Sequence, residues 1–136
     1  MTPTTLTVRL LRAGLRPTAK RLQLAHVLFD GGDKHFTADQ AHQMTAKAGM
    51  RMSQATVYNT LNQFAAAGLL ARIALDSKRT YFDTNTGDHH HLFYEDDDEL
   101  VDVPADQVKI TGLPTLKDGV AIRRVDVVLR AARPRR

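Results

Sequence analysis

The 136-residue sequence contains no cysteine, which excludes disulfide bonds, thiolate-ligated zinc and thiol redox switches. A bound metal ion would therefore need histidine and carboxylate ligands. The sequence also lacks an apolar run approaching the roughly 20 residues that cross a bilayer, so no membrane partner is expected. Arg9 and Arg12 interrupt the first apolar residues, and no signal-peptide core is predicted. We expect a cytoplasmic protein.

Charge is distributed unevenly along a composition that is otherwise typical of globular proteins. Residues 1–84 contain 11 Lys and Arg against 5 Asp and Glu, whereas residues 85–136 contain 8 against 10. A basic N-terminal half is typical of a domain that binds a polyanion such as DNA. A solvated basic surface has the same charge, so a second feature is needed to choose between the two.

Helical spacing and capping residues predict four helices in the basic half. Their expected bounds are Leu6–Leu11, Ala19–Phe29, Ala38–Ala48 and Gln54–Ala67. Two β-rich runs, Leu70–Leu75 and Arg79–Asp83, follow as a hairpin with a polar turn. Packed helices followed by a hairpin predict a winged helix-turn-helix domain over residues 1–84.

The second half predicts strands at His89–Tyr94, Leu100–Val103 and Ala121–Ala131, with residues 104–119 unassigned. The last four residues are expected to form a frayed basic tail. Three strands make a poor independent core, so their apolar surface is expected to be buried against a second copy of the chain. The sequence thus predicts an α+β protein whose second domain covers residues 85–136.

The predicted helix that begins after Ser53 has the pattern of a DNA-recognition helix. Val57, Leu61 and Phe64 form its apolar face. The opposite face carries short or polar side chains suited to base edges and phosphates, while nearby cations are candidates for the phosphate backbone. The candidate DNA-binding residues are Arg16, Lys20, Arg21, Ser53, Gln54, Thr56, Tyr58 and Asn59. An ordinary amphipathic helix with solvated charges is the alternative interpretation.

Three consecutive histidines, His89 to His91, are the clearest candidate metal ligands. Alternate side chains of a strand share a face, so His89 and His91 are predicted to converge and His90 to point the other way. The remaining ligands are expected among His35, Asp83 and Asp102. Imidazole and carboxylate together suit Fe(II), Mn(II) or Zn(II).

At these residues the chain resembles the Fur family of bacterial metal-responsive transcriptional regulators. Four segments resemble family motifs: Gly14–Thr18 with the following Arg21, His35–Asp39, Ala55–Leu61 and His89–Val103. The resemblance implies a homodimer that binds a palindromic operator in double-stranded DNA, with a winged-helix domain followed by a small α/β dimerisation domain. It also implies one divalent metal per subunit at the hinge. The ligands it implies are His35, Asp83, His89, His91 and Asp102.

The resemblance extends to two branches of the family. Paired cysteines for structural zinc are replaced at the first pair by Tyr94 and Asp97, so no Cys-ligated zinc is expected. Of a second sensory site only Asp88 and His90 remain. These features and the short second domain resemble Irr, the iron response regulators, and imply a repressor of iron and haem homeostasis. Any haem contact would use the histidine run, with His90 facing outward.

A peroxide-sensing repressor of the PerR branch is the alternative. That branch also has aspartate at the positions of Asp83 and Asp102, and Asn59 after Tyr58 is similar to it. In such a protein peroxide would oxidise a ligating histidine. More remote alternatives are a His/Asp metalloenzyme, for which no acid or base beyond the ligands is evident, and a metal carrier, which would not need the basic half.

Overall fold

A computed structural model describes residues 2–135. These residues form two compact units, the first ending at Thr86 and the second beginning at Gly87. Helix and sheet are both present, which confirms the predicted mixed fold class. No helix among the described residues is long and apolar enough to cross a membrane.

The first unit contains four α-helices. They are α1 (Pro3–Arg12), α2 (Ala19–Phe29), α3 (Ala38–Lys47) and α4 (Gln54–Ala66). The predicted helices all form, because their caps are encoded locally: the hydroxyls of Thr18, Thr37 and Ser53 each accept a backbone N–H three residues later. Gly49 and Gly68, at φ 75° and 82°, follow the ends of α3 and α4.

The four helices pack around one apolar core. Leu24, Leu28, Val57, Leu61 and Phe64 are completely buried in it. The predicted apolar face of α4 is therefore the face that anchors this helix. The exposed face of α4 is left for other contacts.

A three-stranded antiparallel sheet completes the first unit. It consists of β1 (His35–Thr37), β2 (Ala71–Ala74) and β3 (Thr80–Asp83), in the order β1-β3-β2. The β2–β3 hairpin is the predicted wing. Strand β1 was not predicted, because three residues are too few to show an alternating pattern and its partner is distant in sequence.

The turn at the tip of the wing is organised by Asp76. Its Oδ1 accepts the backbone N–H groups of Lys78 and Arg79, each at 2.8 Å, and the Arg79 guanidinium lies 3.0 Å from Oδ2. The Lys78 N–H and then the Arg79 side chain lower the pKa of Asp76. A side chain, rather than glycine, thus shapes this turn.

The second unit is a three-stranded sheet. Its strands are β4 (His89–Tyr94), β5 (Glu99–Pro104) and β6 (Val128–Ala131), with β4 in the middle, antiparallel to β5 and parallel to β6. The helical part of the described unit is a three-residue 3-10 helix, Ala105–Gln107. The turn between β4 and β5 contains Asp98 at φ 51°.

Two expectations for the second unit were wrong. The predicted strand Ala121–Ala131 is a strand only from Val128. Its partner β4 begins at His89 and pairs with β6 from His91 onwards, so the earlier residues have no paired strand among those described. The basic tail is attached rather than frayed at Arg133, whose N–H donates to Asp96 Oδ2 at 2.6 Å. Arg136 lies outside the described residues.

Candidate metal centre and nucleic-acid interface

The strand β4 places His89 and His91 side by side on one face, as alternation predicts. Their ring centroids are 4.5 Å apart, and the rings are inclined at 64°. Both side chains are buried, with exposed fractions of 7% and 4%. Two adjacent, buried imidazoles are an arrangement that metal coordination explains readily.

Strand β5 brings Asp102 to the same two histidines. Asp102 lies opposite His91 in the strand register. Its Oδ1 is 3.6 Å from His89 Nε2 and 3.4 Å from His91 Nε2. Two ligand atoms of a tetrahedral ion with bonds of about 2.0–2.1 Å lie roughly 3.3 Å apart. The distance from Asp102 to each histidine is therefore close to that between two ligands of one ion.

A backbone carbonyl orients the His89 ring. The Nδ1 of His89 lies 2.8 Å from the carbonyl oxygen of Gly87. Because a carbonyl only accepts, Nδ1 carries the proton, and in a neutral ring the lone pair is then on Nε2, the atom nearest Asp102. Metal-binding histidines are commonly held this way. Sequence reasoning missed Gly87, because a backbone carbonyl has no residue-type signal.

The first unit holds His35 and Asp83, the other two predicted ligands. They are directly opposite in the β1–β3 register, so their side chains share one face. Asp83 is buried, and its Oδ1 accepts the N–H of Asn85 at 2.8 Å. The ring of His35 is edge-on to Tyr81, with centroids 6.2 Å apart. An unpredicted strand thus pairs an imidazole with a carboxylate.

The expectation that His90 faces outward was wrong. It lies on the opposite face from its neighbours, but only 6% of it is exposed, and its Nδ1 accepts the N–H of Val127 at 3.1 Å. Val127 directly precedes β6, and its carbonyl accepts the N–H of His91. His90 therefore helps attach β6 to β4. Asp88, its predicted companion, is exposed in the preceding loop.

The exposed face of α4 carries the predicted base-reading residues. Gln54, Tyr58 and Asn59 are exposed, and Tyr58 is 49% accessible. Ser53 and Thr56 are engaged with each other: the Ser53 hydroxyl accepts the Thr56 N–H at 3.1 Å and donates to the Thr56 hydroxyl at 2.9 Å. These two residues therefore organise the first turn of the helix.

The three predicted phosphate-binding cations differ in their surroundings. Arg16 is exposed, and its side chain makes no hydrogen bond to the part of the chain that the structure describes. Lys20 donates to the Arg51 carbonyl, and Arg21 donates to the Gln63 side chain and the Arg16 carbonyl. Of these three side chains, only that of Arg16 makes no hydrogen bond within the described residues.

Comparison with known proteins identifies the family. The model of the Ferric uptake regulator family matches residues 12–130. The ferric uptake regulation protein of Pseudomonas aeruginosa is 32% identical over 92 residues, which are 67% of this chain and 69% of that protein.

Two solved structures share the fold. The ferric uptake regulator from Pseudomonas aeruginosa with manganese has a TM-score of 0.72 at 23% identity and covers 96% of this chain and 98% of its own. The Vibrio cholerae ferric uptake regulator, whose structure reveals a rearrangement of the DNA-binding domains, has a TM-score of 0.71 at 23% identity. That comparison covers 93% of this chain and 98% of the other.

The chain belongs to the ferric uptake regulator family. Members of this family are metal-responsive, DNA-binding transcription regulators and not enzymes. The resemblance drawn from the motifs is confirmed at the level of the family. The metalloenzyme alternative is thereby set aside.

Proposed function

We propose that this protein is a metal-dependent transcriptional repressor that controls iron and haem homeostasis, in the manner of the Irr branch. The convergence of His89, His91 and Asp102, in a chain without cysteine, carries the proposal. One ligand atom from each of the three side chains lies within 4.8 Å of the other two. Together they offer a set of nitrogen and oxygen donors that suits Fe(II), Mn(II) or Zn(II).

His35 and Asp83 are proposed to complete the ligand set from the first unit. They share a face of their own sheet, and only a short segment separates Asp83 from the β4 ligands along the chain. A divalent ion bound by both groups of ligands would link the two units. That link would set the separation of two recognition helices, which must match half-sites about one turn of DNA apart. DNA would in return tighten metal binding by the same factor.

Residues 1–84 are proposed to bind DNA, and residues 85–136 to form a homodimer on a palindromic operator. The exposed face of α4 and the exposed Arg16 support the first assignment. The second rests on an apolar stretch without regular structure. Its exposed members are Ile110, Leu113, Leu116, Val120 and Ile122. Burial of these side chains against a second copy would remove an apolar surface that is costly in water.

Any haem contact is proposed within the histidine run and Asp88. His90 keeps only Nε2 available, because Nδ1 accepts the Val127 N–H. Haem ligation at His90 would require its buried ring to become accessible. Binding at His89 or His91 would instead compete directly with the divalent ion, which gives an iron-replete cell a way to release the repressor.

A peroxide-sensing repressor remains the second candidate. The aspartates at positions 83 and 102 favour it, because hard carboxylate donors suit the Fe(II) that peroxide sensing requires. In that case the ligating histidines would be oxidised by peroxide, and DNA would be released irreversibly.

Operator binding at one fixed salt concentration distinguishes these functions. The full-length protein is titrated with Mn(II), then with haem, and separately with Fe(II) followed by peroxide. Tighter binding with Mn(II) and release by haem support the Irr-like function, whereas irreversible release by peroxide supports the alternative. If none of the three changes the affinity, the proposed sensor function is wrong. His91→Ala, which removes one ligand, serves as the metal-insensitive comparison.

A further inference from the structure

Two adjacent cations at the start of α2, Lys20 and Arg21, donate hydrogen bonds to neighbouring protein groups. The Lys20 ammonium donates to the backbone carbonyl of Arg51 at 2.8 Å. The Arg21 guanidinium donates from Nε and Nη2 to Gln63 Oε1, at 3.3 and 3.1 Å, and from Nη1 to the Arg16 carbonyl at 2.9 Å. All of these acceptors are neutral, so both side chains keep their net positive charge.

Two of these acceptors, the Arg51 carbonyl and the Gln63 side chain, lie near opposite ends of the recognition helix. Arg51 precedes the cap residue Ser53 by two positions, and Gln63 is near the end of α4. From the cap residue Ser53 to Gln63, the rise of 1.5 Å per residue gives a distance of about 15 Å along the helix. One turn of α2 is therefore hydrogen-bonded to both ends of the element that carries Gln54, Tyr58 and Asn59.

We infer that Lys20 and Arg21 are positioning residues that set the orientation of α4 for reading DNA, and that they are not phosphate contacts. This inference rests on the proposed DNA-binding function. Base recognition depends on side chains reaching groove edges to within hydrogen-bond distance, so a small rotation of α4 would reduce specific binding. Binding to any sequence, which depends on phosphate neutralisation, would change little.

The geometry of Arg21 favours positioning over a phosphate contact. Arginine donates from a rigid planar fork, and here three of its nitrogens already have acceptors on two different segments. Turning the fork towards a phosphate would break the link to Gln63. Of the three cations compared, Arg16 has no such link among residues 2–135 and is available for the DNA backbone.

Gln63→Leu is the decisive variant, because it removes the acceptor that links Arg21 to α4 without changing any charge. Gln63 is exposed, so the unit is expected to fold, and thermal unfolding checks this. We compare it with Arg21→Gln, with the double variant and with Arg16→Gln. The measurements are the affinities for an operator duplex and for a scrambled duplex over a range of salt concentrations.

Gln63→Leu and Arg21→Gln should each lower the ratio of operator affinity to scrambled-duplex affinity, roughly two- to tenfold for the loss of one hydrogen-bonded link. The double variant should be no worse than either, since both remove the same link. Gln63→Leu should leave the salt dependence unchanged, and Arg16→Gln should reduce its slope by about one. Arg21→Lys should fail to restore the ratio, because an ammonium cannot form the fork.

An unchanged ratio in Gln63→Leu, together with a slope reduced by about one in Arg21→Gln, would show that Arg21 contacts a phosphate and would overturn the inference. Full specificity in Arg21→Lys would overturn it as well. If the unmodified protein shows no salt-dependent binding to either duplex, both the proposed function and the positioning role of Lys20 and Arg21 are wrong. If the unmodified protein binds normally and the variants bind as it does, only the positioning role is wrong.

Discussion

His91 is the residue on which the candidate metal centre most depends. It is buried on the middle strand, opposite Asp102 in the register. His91→Ala should lower affinity for Mn(II) or Zn(II) by more than the roughly 10- to 100-fold loss that follows removal of an outer-shell partner. Chelator competition and elemental analysis measure this. His26→Ala, at an exposed position of α2, is the matched control. Full metal content in His91→Ala would refute the site.

Tyr58 is the exposed aromatic residue in the first turns of α4, with 49% of its surface accessible. If its hydroxyl donates to a phosphate, Tyr58→Phe should lose most of the affinity that Tyr58→Ala loses, roughly 10-fold or more for a charge-assisted hydrogen bond. Fluorescence anisotropy with a labelled operator measures both variants. Operator affinity that is unchanged in Tyr58→Ala would remove Tyr58 from the interface, and sedimentation confirms that the assembly state is unaffected.

At the scale of single residues, the sequence predicted the metal-ligand side chains but not the backbone groups that hydrogen-bond to the histidines. The convergence of His89 and His91 followed from strand alternation, which needs only neighbouring residues. The roles of Gly87 and Val127 did not, because they act through backbone atoms that every residue possesses. The burial of His90 depended likewise on where β6 lies.

The cap of the recognition helix provides a test at the scale of one element. The Ser53 hydroxyl accepts the Thr56 N–H at 3.1 Å. Ser53→Ala should destabilise the first unit by about 1 kcal/mol. For a domain of this size, that corresponds to a melting temperature lower by about 4–8 °C. Circular dichroism or calorimetry measures the change.

Ser53→Asp is the companion variant for this test. A carboxylate can also cap the helix, so stability should be retained, while the added negative charge should weaken DNA binding. A melting temperature that is the same in Ser53→Ala as in the unmodified protein would show that the cap contributes nothing. DNA binding unaffected by Ser53→Asp would place DNA away from this end of α4.

Elements differed in how well their bounds could be predicted. Helices α2, α3 and α4 agree with the prediction to within one residue, because caps, glycines and the 3.6-residue period all lie within the segment itself. Helix α1 begins at Pro3, three residues before the predicted start at Leu6. Strands β1 and β6 were not, because a strand exists only where a partner is available. Residues 121–127 alternate regularly but form no strand pairing within residues 2–135, so they remain without regular structure.

At the scale of the whole molecule, the proposed homodimer is open to direct test. Leu113 and Val120 are 53% and 58% exposed, so replacing both with aspartate should leave the chain folded. If a second copy covers them, the double variant should be monomeric and bind operator weakly, because burying unpaired charges is costly. Sedimentation velocity measures the assembly state. Thr115→Asp, an exposed polar position in the same segment, is the control. A dimer that persists in the double variant would place the interface elsewhere.

The sequence by itself determined the helices, the type of metal donor and the family, because periodicity, capping and side-chain chemistry are local properties. Only the tertiary structure decided which distant groups meet. Asp102 faces His91 through strand register, and Arg21 reaches Gln63 across 42 positions of sequence. The physical reason is that register and packing minimise the free energy of all elements together, so no single segment encodes them.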